Sequence, residues 1–448
     1  MSLDTISLVV IILLLLMLFS GIKIGITLII VGMVGVAFST GFSVSINLLG
    51  ATAFNAIKNY VFAVIPLFVL MGLFSSMAGI GKELYDASYV LLKNIRGGLA
   101  IATIIANAIF AALTGATIAS AAVFTKISLP EMIRRGYGKK IAAGAIAGSS
   151  VLGMLIPPSN LMIVYGSITG ESIGKLFIAG ILPGILLSML YIVAIIIIGY
   201  FRPEKMGNYM SNNSFARENN SEFPLKTILK PWPVVLLIIL VMGGIWGGFF
   251  TATEAGGVGS FGALLLVIFK RKFTFEKLWQ ALGDAGKTTG SILFLFISAQ
   301  VFSRMLAMTG IISNITKSII SWEIDPITVI IFFCILQFFM GCILDSTSIL
   351  LLTIPVMIPV VRELGFDPIW YAIVAIISAE IGLISPPFGI SVFTVKSSLT
   401  EFNIIPNDLI TVNDIFQGSY PYVLMMIVCV IILMIFPKIV TFLPSMML

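Results

Sequence analysis

The chain has 448 residues, 59% of them hydrophobic and only 10% charged, with a formal net charge of +6. Soluble domains carry about 45–50% apolar and about 25% charged residues, so this balance excludes a soluble enzyme or binding module and points to an all-α polytopic membrane protein. The basic excess is expected to mark loops held inside the membrane, since no polybasic tail or aromatic-basic stripe suits a nucleic-acid partner.

Histidine is absent, and no HExxH, GxSxG or P-loop pattern occurs. An intramembrane hydrolase, an ATP-driven pump and enzymes in general thereby lose their usual groups. Cys334, Cys342 and Cys429 lie in apolar segments without CxxC spacing, as core hydrophobes do, and no disulfide or metal cluster is indicated.

In chain order, the opening "MSLDTISLVVIILLLLMLFSG" lacks a basic n-region and a small-residue cleavage site, so it reads as a retained first helix. Crossings are expected at 4–20, 23–40, 60–79, 141–170 (broken), 174–201, 232–250, 254–270, 284–308, 368–399 (broken) and 419–443. Two further apolar segments, 98–129 and 327–361, are longer and carry central knots, "LTGATIAS" (113–120) and "CILDSTS" (342–348). Lys82, Lys93 and Arg96 precede the first of them, and Arg134, Arg135, Lys139 and Lys140 follow it. Both flanks belong in the cytoplasm, which a single crossing forbids and a re-entrant hairpin allows. The loop 202–231, with Arg202, Lys205, Arg217, Lys226 and Lys230, then falls inside, as does "KRK" at 270–272. The second hairpin enters from the opposite side, and both termini are expected outside.

An ungapped offset of 229 carries Pro130 onto Pro359, Gly136 onto Gly365, Ala143 onto Ala372, Ser149 onto Ser378 and Gly153 onto Gly382. It also carries Pro157 and Pro158 onto Pro386 and Pro387. An odd number of expected crossings, five, separates residues 130 and 359, so the halves are expected to have opposite topology. The expected organisation is a first inverted repeat over 1–202, with scaffold helices in 1–97 and hairpin plus broken helix in 98–201. A cytoplasmic polar linker follows at 203–231. The second repeat covers 232–448, with scaffold helices in 232–308, hairpin and broken helix in 327–399 and a last helix at 419–443. Inverted repeats with interrupted helices at matching positions are the sequence pointer to a secondary transporter.

Two adjacent prolines remove donors and unwind a helix, and the freed backbone groups are tolerated only inside protein or along a cavity. Such carbonyls and half-helix ends suit a small cation and an anionic substrate group. At the second tip, Asp345, Ser346, Thr347 and Ser348 offer oxygen ligands for a hard monovalent cation; the alternative for Asp345 is a capping role. The first tip offers Thr114, Gly115, Thr117 and Ser120, with Ala116 at the place of Asp345; small residues there also suit close packing. Glu380 is read either as a cation ligand or as a hydrogen-bonded neutral acid, and its offset partner is Val151. Glu254 in "TATEAGG" reads as a helix cap. Arg304 either pairs with substrate or snorkels.

Residues 97–184, "TATEAGGVGSFGALL" (251–265), "LDSTSILLLTIPVMIPV" (344–360) and "IGLISPPFGISVF" (381–393) closely resemble the large membrane subunit of tripartite ATP-independent periplasmic (TRAP) transporters. The resemblance covers essentially the whole chain. It implies an inverted-repeat, ion-transporter-superfamily elevator fold with two re-entrant hairpins and two broken helices. It implies sodium-coupled uptake of an organic acid such as a C4-dicarboxylate, sialic acid or another sugar acid, across the bacterial cytoplasmic (inner) membrane. The implied partners are a small four-helix membrane subunit and a periplasmic substrate-binding protein, and at least two sodium ions are implied as co-transported ligands. Carried onto matching positions, the sodium sites fall on Thr114, Gly115, Thr117, Ser120 and Pro157, and on Asp345, Ser346, Thr347, Ser348, Ser385, Pro386 and Gly389. The substrate carboxylate falls near Thr114, Pro158, Ser159, Asn160, Ser346 and Pro387. Many relatives carry a Ser-containing "GSS" turn where this chain has "TGAT" at 114–117. Two other readings remain: a stand-alone sodium/dicarboxylate symporter of the same superfamily, and a membrane scaffold without a transport site.

Overall fold

A computed structural model describes residues 3–58, 60–206, 224–321, 323–401 and 409–447. The Asn- and Ser-rich part of the expected linker, 207–223, lies outside these described residues. The first half contains α1 (Leu3–Phe19), α2 (Ile24–Thr40), α3 (Phe42–Lys58), α4 (Val64–Met77), α5 (Ile80–Leu92), α6 (Gly98–Thr114), α7 (Thr117–Arg134), α8 (Lys139–Ser150), α9 (Leu152–Leu155), α10 (Asn160–Thr169) and α11 (Ile173–Phe201). A short α12 (Pro224–Leu229) leads into the second half: α13 (Trp232–Trp246), α14 (Ala252–Phe269), α15 (Phe275–Met308), α16 (Ile311–Ser321), α17 (Pro326–Gly341), α18 (Ser346–Glu363), α19 (Pro368–Leu383), α20 (Ile390–Glu401), α21 (Val412–Ile435) and α22 (Lys438–Ser445).

The offset of 229 read from proline positions also relates the helix bounds. It maps α18 onto α7 at both ends, the start of α13 onto that of α1, and α16 closely onto α5. The halves differ where α15 runs unbroken for 34 residues, about 51 Å at 1.5 Å per residue, while its counterpart is split into α3 and α4. Pro66 explains the split. Its missing N–H is tolerated in the first turn of α4 but would break a continuous helix, and Leu295 stands at the equivalent place in α15.

Eight helical stretches are long and apolar enough to cross a membrane, against the ten crossings expected from sequence. The difference lies partly in length: α1 and α2 have 17 residues each, about 26 Å, a little short of a hydrocarbon core of about 30 Å. The helix expected at 284–308 begins at Phe275 instead. Helices α3, α5 and α16 were not anticipated, because their polar residues interrupt the apolar runs on which the reading relied.

Start signals are explicit in the second half. Asp325 accepts Ile327 N at 3.1 Å, and Asp367 accepts Ile369 N at 2.7 Å and Trp370 N at 3.4 Å, each with a proline as first helical residue. Asp367→Ala should cost about 1 kcal/mol and Asp367→Asn much less, read from thermal unfolding. Glu254 forms a capping box with Thr251, whose N–H it accepts at 2.8 Å, as its motif implied. The three cysteines are free and buried.

Burial separates two kinds of helix. In the most apolar stretch of the region from Lys139 to Thr169, 83% of residues are buried, and in α18 72%, whereas in α11 and in the region from Leu225 to Trp246 the share is 33%. Helices α1, α11 and α13 instead expose rows such as Leu8, Leu15, Ile196, Ile197, Ile239 and Leu240, the pattern of lipid-facing surfaces. The interrupted helix thus sits inside the protein, where its irregular backbone can be satisfied.

At the foot of α7, Glu131 accepts Arg135 Nε at 2.6 Å and Arg134 Nη2 at 2.7 Å, and Arg135 also reaches the Tyr89 hydroxyl on α5. Burial pushes the Glu131 carboxyl up, but the hydrogen bonds from Arg135 and Arg134 outweigh it and hold the group below its ordinary 4.5. A depressed carboxyl stabilises the fold above its unfolded value and loses that contribution as pH falls through the folded one. Wild type should therefore lose more stability than Glu131→Gln on going from about pH 6 to about pH 3.

Candidate functional site

The first knot is a tight reversal between α6 and α7. Gly115 takes φ +58°, Ala116 is extended at φ −146°, and α7 starts at Thr117. Glycine is required at 115 twice over: for the left-handed backbone, and because a Cβ would lie 2.5 Å from Pro158 O. Gly115 O accepts Asn160 N at 3.4 Å, so the tip rests on the break between α9 and α10. Gly153 completes the contact, since a Cβ there would lie 2.9 Å from the Ala116 carbonyl carbon.

Pro157, Pro158, Ser159 and Asn160 are all buried at this break. Ser159 closes it locally: its Oγ donates to Met154 O at 2.5 Å and accepts Met162 N at 3.4 Å, capping α10. Thr114 Oγ1 donates to Phe110 O at 3.2 Å and lies 3.4 Å from Ser120 Oγ. The Pro157–Pro158 and Pro386–Pro387 peptide bonds are both cis.

The second knot repeats the arrangement with different residues. Phe388 N donates to Cys342 O at 3.3 Å, placing the α17–α18 turn on the break between α19 and α20. Gly341 and Gly382 meet backbone to backbone, a Cβ on Gly382 lying 2.4 Å from Gly341 Cα. Asp345 caps α18: Oδ1 accepts Ser348 N at 3.1 Å and Oδ2 accepts Ser348 Oγ at 2.5 Å. Ser385 is buried and donates to Ile381 O at 2.7 Å, and Gly389 is buried at φ +42°. Pro386, Pro387 and Phe388 are exposed, so this break is open where the first is closed.

The structure sets the Thr114–Ser120 turn on Pro157–Asn160 through Gly115 and Asn160, whereas at the second contact it is Cys342, ahead of the expected Asp345–Ser348, that meets Phe388 within Ser385–Gly389. It also shows that the Asp345 carboxylate does cap its helix, as the alternative reading held. A carboxylate has about four acceptor positions, so two hydrogen bonds leave room for a further ligand. The groups gathered at both contacts are hydroxyls, backbone carbonyls and one carboxylate, a donor set that suits a hard cation.

Other buried polar groups join these elements; Glu380 was singled out from sequence, whereas the Ser150–Ser391 and Asn107–Ser149 pairs were not. Glu380, fully buried on α19, accepts Thr117 Oγ1 at 3.0 Å and Ser346 Oγ at 2.5 Å. Ser150 and Ser391 lie 2.8 Å apart, joining α8 to α20. Asn107 Nδ2 donates to Ser149 Oγ at 2.8 Å, joining α6 to α8. Each is a small polar or acidic residue in an apolar run, which was the signal available, but its partner is far away in the chain. Arg304 is half-buried on α15 and forms no ion pair among the described residues.

These features define a multi-pass helical membrane protein. The chain superposes on the Neisseria gonorrhoeae antimetabolite efflux pump MtrF with a TM-score of 0.62 at 13% identity, over 89% of this chain and 85% of that one. It superposes on the Alcanivorax borkumensis transporter YdaH with a TM-score of 0.54 at 13% identity, over 87% and 88%. At such identity the likeness concerns the fold alone. Residues 10–439 match the tripartite ATP-independent periplasmic transporter, DctM component, and the chain belongs to that family. It is 31% identical to the C4-dicarboxylate TRAP transporter large permease protein DctM of Pseudomonas aeruginosa over 402 residues, 90% of each chain. It is 27% identical to the sialic acid TRAP transporter large permease protein SiaM of Vibrio cholerae over 433 residues, 96% and 97% of the two chains. The isethionate TRAP transporter permease protein DctMQ of Oleidesulfovibrio alaskensis is 27% identical over 352 residues, 78% of this chain and 54% of that one. The chain is a TRAP transporter large permease, and its relatives are named as transporter permeases, not enzymes.

Proposed function

We propose that this permease takes up an organic acid across the inner membrane, driven by sodium ions that bind where each tip meets its break. A periplasmic binding protein delivers the acid, and a small membrane subunit completes the assembly, as its family membership implies. Helices α6–α10 and α17–α20 form two re-entrant hairpins and two broken helices that carry substrate and ions past the remaining helices in an elevator movement. The observation that carries the reading is the pair of tip–break contacts, Gly115 O with Asn160 N at 3.4 Å and Cys342 O with Phe388 N at 3.3 Å. They put oxygen-rich turns of the two halves at corresponding places, where unwound backbone can serve a cation and an anion together.

The substrate carboxylate sits between the tips, near Asn160 and the helix starts, whose amides favour negative charge. The polarity of this chain's relatives fits such an anionic cargo: C4-dicarboxylate, sialic acid and isethionate are all acids. The test is thermal unfolding of the purified chain in sodium, potassium or choline chloride at equal ionic strength. Sodium alone should raise the midpoint, because a ligand that binds only the folded state stabilises it. Equal curves in the three salts overturn the reading.

A further inference from the structure

The two tip–break contacts leave one buried ionisable group without a task. Glu380 has its side chain fully enclosed, and each of its oxygens accepts one hydroxyl proton, Oε2 from Thr117 and Oε1 from Ser346. Thr117 and Ser346 are the first residues of α7 and α18, and the offset of 229 relates them. The carboxylate itself has no such counterpart, since Val151 occupies the equivalent position. One acid from the second half therefore serves corresponding hydroxyls of both halves. Among the described residues no lysine or arginine forms an ion pair with it. The positive ends of two helices converge on it instead.

A hydroxyl has one proton and two lone pairs. When the proton is committed to a carboxylate, the hydroxyl faces its remaining surroundings purely as an acceptor. We propose that Glu380 is a positioning residue that orients both tip hydroxyls as cation ligands and links the two tip sites, so that they fill together. This rests on the sodium reading of the preceding subsection. Glu380 acts through Thr117 and Ser346, and the ion is held by their oxygens with neighbouring carbonyls.

Glutamine at this position makes the distinction sharp. Its amide oxygen accepts one hydroxyl proton, but its NH2 group must donate to the other hydroxyl, whose own proton then turns toward the ion. One tip keeps its acceptor face and the other loses it. A group that merely packs the tips together would change basal stability and leave the ion count alone.

The experiment follows the unfolding midpoint of the purified full chain across a sodium series, with choline holding ionic strength constant. Well above saturation, the slope of midpoint against the logarithm of sodium scales with the number of ions the folded state holds. Wild type should give a two-ion slope, and Glu380→Gln little or none, because sites that fill together empty together; a half slope means independent sites and overturns the linkage. An unchanged slope in Glu380→Gln, beside a sodium-responsive wild type, overturns this inference and leaves the sodium reading standing. A wild type indifferent to sodium overturns both. Should Glu380→Gln fail to fold, Thr117→Val, Ser346→Ala and their double variant carry the test. Linked sites predict that the double loses no more sodium response than the worse single, and additive losses overturn the proposal.

Discussion

Asp345→Asn should leave the protein folded and remove most of the sodium-specific rise in its unfolding midpoint. The two roles open to Asp345 separate at this substitution. As the cap of α18 it accepts Ser348 N at 3.1 Å, and asparagine caps a helix about as well as aspartate. In choline the variant should therefore unfold close to wild type, while Asp345→Ala should cost about 1 kcal/mol. As a cation ligand Asp345 supplies a formal charge on the second tip itself, and asparagine lacks it. At ten times its dissociation constant an ion adds about 1.4 kcal/mol per site, and that increment should vanish in Asp345→Asn. Transport of the acid driven by a sodium gradient should fall with it. A variant with an undiminished sodium response would reduce Asp345 to its cap.

The second large effect is steric. Gly382→Val should destabilise the protein by about 3 kcal/mol or more, or prevent its accumulation. A Cβ at 382 lies 2.4 Å from Gly341 Cα and 2.6 Å from Phe338 O, and both are backbone. No rotamer relieves that overlap, so α17 must move off α19, and the Cys342–Phe388 contact opens with it. Gly257→Ala on α14 is the matched control, since no atom lies within 4 Å of a Cβ there. That change should be neutral or stabilise by about 0.5–1 kcal/mol, as alanine does over glycine in a helix. Unfolding of both variants in detergent, beside wild type, separates a specific backbone contact from general intolerance of glycine replacement.

Close backbone approach of this kind is how helices associate where lipid removes the hydrophobic drive between them. Gly341 and Gly382 join the second tip to its broken helix, and Gly115 and Gly153 do the same for the first. Gly72 on α4 has the same character toward Thr114, where a Cβ would lie 2.9 Å from Thr114 Cα. A glycine thus lies at each of these close approaches.

Much of this was legible in the chain. The apolar runs identified a membrane protein because crossing a bilayer demands continuous hydrophobic length. The knots at 113–120 and 342–348 marked the helix reversals, since Gly115 and the Asp345–Ser348 cluster are turn and cap chemistry wherever they occur. The paired prolines marked the breaks, because a missing N–H acts locally. The amphipathic helices α3, α5 and α16 escaped, because polar residues along one face dilute the hydrophobicity of the whole segment.

What the sequence determined by itself was therefore a set of features whose cause lies within a few residues: the polytopic character, the two reversals, the two breaks, the Glu254 cap and the offset that relates the halves. The tertiary structure alone decided which of these meet. It set Gly115 O on Asn160 N, closed the first break while leaving Pro386 and Pro387 exposed, and joined Thr117 to Ser346 through Glu380, 263 residues from Thr117 in the chain. A hydrogen bond between residues so far apart depends on how whole helices stack, and no local pattern encodes that.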